Sequence, residues 1–146
     1  MTESMILRPA TAADEPVMAA LLAAEGLPAA GFAESSTHFQ VVDEAGDVVA
    51  AAGIECHGEA ALLRSVVVAP EHRDRGLARR LTEGMVRHAR ALGHDSIYLL
   101  TMDADRYFAG LGFTPIERDQ APDSIRDSRQ YREQCPDTAV LMRLAL

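Results

Sequence analysis

Arg73, Arg75 and Gly76 have types and spacing that suggest chemistry, because they lie where an apolar run gives way to a helical pattern. The first turn of a helix carries backbone N–H groups without intrahelical partners and the positive end of the helix dipole. Gly76 lets the backbone approach a ligand closely, and the two arginines add cationic donors. The spacing therefore predicts a diphosphate site, with an ordinary loop bearing solvated arginines as the alternative.

Two elements must flank this site. The apolar run Ala61–Ala69, β-branched at its end, is typical of a strand buried on both faces, and Pro70 stops it. Beyond Gly76 the apolar residues recur at helical spacing, with charged residues between them. The apolar positions of this stripe are Leu77, Ala78, Leu81, Met85, Ala89 and Leu92. A long amphipathic helix is therefore predicted to begin near Gly76.

The rest of the chain is predicted to add strands and short helices to this unit. The further strands are Met5–Arg8, His38–Asp43, Asp47–Cys56, Ser96–Leu100 and Thr138–Leu144, and the further helices are one carrying Val17, Met18, Leu21 and Leu22 and a short one over Asp103–Leu111. A turn-forming stretch at 44–47 predicts a hairpin, and a right-handed crossover makes Ser96–Leu100 parallel to Ala61–Ala69. The polar segment Glu117–Gln134 is expected to include a helical turn at Pro122–Arg129.

The composition limits the class of protein. The 146 residues, 48% hydrophobic, are enough for the core of one domain over residues 1–146. A net charge of −8 argues against nucleic acid or an anionic membrane as partner. No signal peptide is apparent, and no run reaches the roughly 20 apolar residues of a membrane span. Cys56 and Cys135 lack CxxC spacing, which indicates free thiols in a reducing cytoplasm.

The residues around Gly76 resemble a known family. The run Arg73-Asp74-Arg75-Gly76-Leu77-Ala78 fits the Arg/Gln-x-x-Gly-x-Gly/Ala signature of the GCN5-related N-acetyltransferase (GNAT) superfamily, and the similarity extends along nearly the whole chain. The segments Leu62–Val68 and Cys135–Met142 resemble the acetyltransferases of bacterial arsenic-resistance operons. The resemblance implies an α/β (α+β) acyl-CoA N-acyltransferase fold, with a mostly antiparallel central sheet, a parallel β-α-β unit and splayed strands.

The resemblance also implies the cosubstrate and where it binds. Acetyl-CoA would donate the acetyl group, without a metal, and its diphosphate would lie on the loop and first helical turn. The residues implied for the diphosphate are Arg73, Arg75, Gly76, Leu77, Ala78 and Arg79. Backbone N–H groups near Val66 to Val68, with Val66 and Val68 as the contact residues, would polarise the thioester carbonyl.

Acetyl transfer to an amine needs a proton acceptor, for which Glu55 is the first candidate. A carboxylate at the end of an apolar strand has to be solvated, paired or functional, and Glu55 could act through a water molecule. His57 lies on the same side by strand alternation. An exposed Glu and His at a turn is the alternative, and Glu34 and His38 are weaker candidates for the base.

The departing thiolate needs a proton donor, which many family members supply from a tyrosine in the motif Ala-x-x-Phe-Tyr. Phe108 occupies that place here, and Thr101 aligns with the motif's usual asparagine. Tyr107 is one residue earlier, so it is expected to point about 100° away and to be packed. Water, Tyr107 and a residue from another segment all remain open as donors.

An amino-acid-like acceptor would place its carboxylate on an arginine. Arg64, within the strand next to the reacting carbonyl, is the best placed; Arg126 and Arg129 are the others, and a structural salt bridge is the alternative role for Arg64. The expected function is acetylation of a primary amine on a small acceptor by a cytoplasmic enzyme, and the resemblance implies arsenic or toxin resistance and a homodimer. Glutamate-type N-acetylation in metabolism and a non-catalytic acyl-CoA sensor are the alternatives.

Overall fold

The computed structural model describes residues 4–27, 36–128, 131 and 138–146. Within these residues the chain forms one seven-stranded sheet and four α-helices. The strands are β1 (Met5–Pro9), β2 (Thr37–Glu44), β3 (Asp47–His57), β4 (Ala60–Val68), β5 (Ser96–Thr101), β6 (Thr114–Pro115) and β7 (Val140–Ala145). The helices are α1 (Glu15–Ala24), α2 (Leu77–Ala91), α3 (Asp105–Ala109) and α4 (Asp123–Arg126). None of the described helices is long and apolar enough to cross a bilayer.

The sheet order is β1-β2-β3-β4-β5-β7-β6, and every neighbouring pair is antiparallel except β4 and β5. This confirms the predicted mixed sheet with one parallel β-α-β unit. Ala45 and Gly46 form the turn between β2 and β3, with positive φ angles of 51° and 98°. The predicted hairpin is therefore present, and positive φ at both central residues matches the right-handed twist of the paired strands.

The two faces of the sheet carry separate parts of the core. The apolar stripe of α2 packs on one face, where Leu81, Met85 and Ala89 are fully buried. On the other face, Met18 and Leu22 of α1 and Ile125 of α4 cover the sheet. Burial of both faces explains the nearly continuous apolar sequence of β4. Most of the stripe that predicted α2 therefore packs on the sheet, but its last member, Leu92, lies beyond the end of the helix and is 46% exposed.

Some predicted boundaries differ from the structure. The short helix predicted over Asp103–Leu111 is limited to α3, and the helical turn predicted at Pro122–Arg129 is limited to α4. In the first helix, Val17 is 42% exposed and lies outside the buried stripe. Residue 129 lies outside the described part of the chain. Helix ends depend on capping and on tertiary contacts, which apolar periodicity does not report.

The imidazoles of His38 and His88 form a contact between β2 and α2, from which we expect the stability of the fold to depend on pH. His88 Nε2 lies 3.0 Å from His38 Nδ1, so one ring must be neutral to accept the hydrogen bond. Burial lowers the pKa of His88, and the nearby His38 and His94 lower it further. The unfolded chain therefore binds a proton at His88 more readily than the folded chain does. The contribution of His88 to the stability of the fold is present above about pH 6.5 and is lost as the pH falls below that value.

We expect the melting temperature of the wild type to fall more steeply between pH 7.5 and pH 5.5 than that of His88→Gln. His38→Gln should flatten the dependence to a smaller extent, because burial, the main cause of the lowered pKa of His88, remains. Thermal unfolding monitored by circular dichroism at a series of pH values measures the slopes. Parallel slopes for the three proteins would show that this pair does not contribute to pH-dependent stability.

Candidate active site

A cleft opens where β4 and β5 separate. The two strands pair only from Ala60 opposite Ser96 to Leu62 opposite Tyr98, and beyond this point neither strand bonds the other. The resulting cleft has a volume of about 830 Å³. Its walls are residues 63–68 of β4, residues 99–104 at and after the end of β5, His72, Arg73, Asp74, Gly76, Leu77 and Ala78 of the loop and α2, and Tyr107 and Phe108 of α3. The predicted splayed strands are therefore present.

The loop between β4 and α2 presents backbone donors to the cleft. Gly76 caps α2 with a φ of 75°, in the left-handed region that favours glycine. A Cβ added there would meet no atom within 4 Å, so the backbone is open to a ligand. The first N–H groups of α2 have no intrahelical partner, and its N-terminus carries the positive end of the helix dipole. These features fit the diphosphate of acetyl-CoA.

Some of the residues predicted to bind the diphosphate border the cleft, and others do not. Arg73, Gly76, Leu77 and Ala78 border the cleft, together with Val66 and Val68 of β4. The Arg73 guanidinium forms an ion pair with Glu25 at the end of α1. Two predicted arginines are not among the cleft residues: Arg75 Nη1 lies 3.8 Å from Glu44 Oε2, and Arg79 Nε lies 3.5 Å from Glu83 Oε1. Both side chains are more than half exposed.

A β-bulge in β4 lies at the mouth of the splay. Between the pairs Ala51–Val67 and Gly53–Arg64, one residue of β3 is opposed by two residues of β4. Ser65 has a φ of 58°, which is uncommon for a residue with a side chain. A bulge turns the backbone locally. Among the described strands, none pairs with the β4 edge that faces β5 beyond Leu62. Its N–H groups are therefore available to polarise a carbonyl in the cleft.

Glu55, His57 and Arg64 form a connected ionic chain on the sheet face opposite α2. Arg64 Nη1 donates to Glu55 Oε2 at 2.7 Å, and His57 Nε2 lies 2.8 Å from Glu55 Oε1. Glu55 is only 7% exposed and Arg64 6% exposed, so the alternative of an exposed Glu at a turn is wrong. Arg64 borders the cleft, and its Nη2 is buried without a hydrogen-bond partner among the described residues.

Burial opposes ionisation of Glu55, but its hydrogen bond with His57 and the charge of Arg64 outweigh burial, so the pKa of Glu55 is lowered. The carboxylate is therefore ionised at neutral pH. A buried charge of this kind has to be paired, and Arg64 supplies the pairing. The salt bridge that was the alternative role of Arg64 is thus present. Because no described residue bonds Nη2 of Arg64, binding of an acceptor by Arg64 is also compatible with the structure.

Tyr107 differs from its prediction. Its side chain is 43% exposed and borders the cleft, whereas a packed position was expected. Phe108 is instead the buried residue of the pair, and it contacts Phe113 edge to face with ring centroids 5.8 Å apart. Burial raises the pKa of Tyr107, so its hydroxyl stays protonated at neutral pH. Thr101 accepts a hydrogen bond from the Ala104 backbone through its hydroxyl, which fixes the chain entering α3.

The other sequence candidates lie elsewhere. His38 contacts His88, and Arg126 Nη1 lies 3.9 Å from Asp123 on the surface of α4. Glu34, Arg129 and Cys135 lie outside the described residues. Cys56 is a free thiol, and the described part of the chain has no cluster of three metal-binding side chains.

The sequence analysis missed Ser65, whose hydroxyl accepts a hydrogen bond from Arg64 Nε at 3.0 Å. The signal available was a polar pair, Arg64-Ser65, inside an otherwise apolar strand. Such a pair marks a break in the pattern, but it does not report the left-handed backbone at Ser65. The bulge therefore became visible only when the register of β3 and β4 was known.

Comparison with known proteins identifies the family. The acetyltransferase (GNAT) domain model matches residues 35–115 of the chain. The chain therefore belongs to the GNAT acetyltransferase domain family, whose members are acyltransferases that use acetyl-CoA as cosubstrate. The amino-acid acetyltransferase of Pseudomonas syringae pv. syringae is 32% identical over 98 residues, which are 66% of this chain and 23% of that protein. The chain thus spans about a quarter of the length of the curated relatives it matches.

Solved structures share the fold. N-acetylglutamate synthase from Neisseria gonorrhoeae, complexed with coenzyme A and N-acetyl-glutamate, superposes with a TM-score of 0.83 at 20% identity, over 100% of this chain and 36% of that chain. Rv2747 from Mycobacterium tuberculosis, in complex with CoA and NLQ, superposes with a TM-score of 0.82 at 19% identity, over 97% of this chain and 99% of that chain. At these identities the likeness shows the fold.

Gly76 offers a direct test of the diphosphate site. We expect Gly76→Glu to weaken coenzyme A binding by at least about tenfold, because it adds a negative charge at the helix N-terminus. Gly93→Glu is the matched control, since Gly93 also has a positive φ and open space around it but lies at the other end of α2. Isothermal titration calorimetry with coenzyme A measures both. Equal affinities in the two variants would place the diphosphate elsewhere.

Proposed function

We propose that the protein transfers an acetyl group from acetyl-CoA directly to a primary amine of a small acceptor that carries a carboxylate. The observation that carries this proposal is the Nη2 nitrogen of Arg64, a residue that borders the cleft; this nitrogen is buried, and no residue that the structure describes pairs with it. Leaving a buried guanidinium nitrogen without a hydrogen bond costs free energy. A carboxylate on the acceptor would complete the hydrogen bonding of Arg64 and would hold its amine near β4.

The chain supplies most of what the reaction requires. Bound acetyl-CoA brings a thioester, whose carbonyl carbon forms a bond to the amine nitrogen while the C–S bond breaks. The free N–H edge of β4, including Val66 and Val68, would stabilise charge developing on the carbonyl oxygen. The first turn of α2, with Arg73, would hold the diphosphate and fix the thioester against β4. The protonated hydroxyl of Tyr107, or water, would return a proton to the thiolate.

The relatives support an amino-acid-like acceptor. The curated relatives are amino-acid acetyltransferases, and the Neisseria gonorrhoeae structure contains N-acetyl-glutamate. Glutamate-type N-acetylation is one form of the proposal. A second form is resistance to an amine-bearing arsenical or a toxic glutamate analogue, as the resemblance of Leu62–Val68 and Cys135–Met142 to the arsenic-resistance acetyltransferases suggests. Both forms share acetylation of an amine, and the proposal requires that the same small molecule also carry a carboxylate for Arg64.

One observation favours a second candidate function. Phe108 stands where many family members have a tyrosine, and it is 8% exposed and packed into the core. A chain that binds acyl-CoA without turnover, as a sensor, would have no use for a thiolate proton donor at that position. Product formation separates this function from the first, because a sensor binds the cosubstrate but releases no free thiol.

The test is release of free thiol from acetyl-CoA in the presence of single acceptors. The panel contains amino acids, glutamate analogues, amine-bearing arsenicals, polyamines and simple alkylamines. We expect turnover to be highest with a carboxylate-bearing amine, and mass spectrometry of the product should show one added acetyl group. Binding of acetyl-CoA without turnover on any amine would favour the sensor.

Arg64 variants connect the activity to the site. Arg64→Gln should raise KM for the carboxylate-bearing acceptor by about 10–100-fold, the value of a hydrogen bond to a charged group. Arg126→Gln is the matched control, because Arg126 is an exposed arginine of α4. Circular dichroism and coenzyme A binding should confirm that Arg64→Gln folds. An unchanged KM in a folded Arg64→Gln protein would exclude Arg64 from acceptor binding.

A further inference from the structure

Two of the three guanidinium nitrogens of Arg64 form hydrogen bonds within the protein. Its Nη1 donates to Glu55 Oε2 at 2.7 Å, and its Nε donates to Ser65 Oγ at 3.0 Å. Its Nη2 is buried and has no partner within the described part of the chain, and the side chain is only 3% exposed. Because a guanidinium is planar, two bonds from different edges fix the direction of the remaining nitrogen. The orientation of Nη2 is therefore set by Glu55 and Ser65 together.

Glu55 is engaged through both carboxylate oxygens. Oε2 accepts from Arg64, and Oε1 lies 2.8 Å from the His57 ring. A buried carboxylate beside a guanidinium holds a proton weakly, because protonation would leave the cation of Arg64 uncompensated in a region of low dielectric. This is the opposite of the environment that raises a carboxylate's proton affinity for general-base catalysis. The surroundings of Glu55 suit a fixed counter-ion.

Ser65 connects the same guanidinium to the bulge. The residue adopts a φ of 58° at the point where β4 turns beside the cleft, and its hydroxyl accepts from Arg64 Nε. Glu55 and Arg64 are not directly opposite in the sheet, since Arg64 faces Gly53 and Glu55 faces Leu62. The salt bridge is therefore diagonal, and it spans from β3 to the residue immediately before the bulge.

We infer that Glu55 and Ser65 are positioning residues that aim the Nη2 of Arg64 at the acceptor's carboxylate, and that Glu55 does not accept the amine proton. This inference rests on the proposed function and revises the base role expected for Glu55. The acceptor then enters as the free amine, and the proton lost by nitrogen as the C–N bond forms passes to water. Glu55 affects the reaction only through Arg64.

The test compares two acceptors in wild type and Glu55→Gln. One is the best carboxylate-bearing amine of the panel, and the other is the best simple alkylamine without a carboxylate. The amide of Gln keeps an oxygen that can accept from Arg64, but it removes the charge that holds the guanidinium. We expect KM for the carboxylate-bearing acceptor to rise by at least about tenfold, with kcat within about threefold and the alkylamine kinetics unchanged.

Ser65→Ala should show the same signature more weakly, because it removes the bond to Nε and keeps the salt bridge. It also keeps the inference testable if Glu55→Gln fails to fold. Glu59→Gln, at the exposed turn between β3 and β4, is the matched control and should leave both acceptors unaffected.

A fall in kcat of about 100-fold or more for both acceptors in Glu55→Gln would overturn the inference, because loss of a general base affects every amine. Unchanged kinetics for both acceptors in a folded Glu55→Gln or Ser65→Ala would also overturn it. In either case the proposed function stands, since the wild type still turns over. If the wild type acetylates no amine, the proposed function fails and the positioning role fails with it.

Discussion

The divergence of β4 and β5 beyond Leu62 and Tyr98 is the constraint on which the site depends. Where the strands are paired, their facing N–H and C=O groups bond each other and are unavailable to a ligand. Where they separate, the β4 edge that faces β5 has no strand partner among the described residues and borders the cleft. The separation is tolerated because β3 holds β4 on its other edge, from His57 opposite Ala60 to Ala50 opposite Val68.

The cleft brings charges of both signs together. It is bordered by Arg64, Arg73 and the positive end of α2, and also by the carboxylates of Glu25, Asp74 and Asp103. Arg73 and Arg75 already interact with Glu25 and Glu44, so a diphosphate would have to compete with these carboxylates. These are exposed pairs and contribute little to stability, so the arginines can exchange partners at small cost. Arg64 is different, because its pairing with Glu55 is buried.

Much of the fold was predictable because its signals are local. The stripe of α2 and the apolar run of β4 follow from periodicity. Gly76 was identified because glycine lets the backbone approach a ligand closely, whereas its positive φ is known only from the structure. The diagonal contact of Glu55 with Arg64 was not predictable, since a one-residue bulge shifts which residues face each other. The prediction that Tyr107 is packed was wrong. The helical rotation between neighbouring residues gives only the angle between the Tyr107 and Phe108 side chains. Which of the two rings is buried depends on how α3 lies against the cleft.

Local backbone strain is concentrated at the cleft. Among the described residues, three non-glycine residues have positive φ: Ala45 in a hairpin turn, and Ser65 and Asp74 at the cleft. A left-handed conformation costs about 1–2 kcal/mol for a residue with a Cβ. Glycine would avoid that cost at position 65, but it would lose the hydroxyl that accepts from Arg64. Because pairing with β3 continues on both sides of the bulge, the sheet can hold Ser65 in this conformation, where β4 turns its donors toward the cleft.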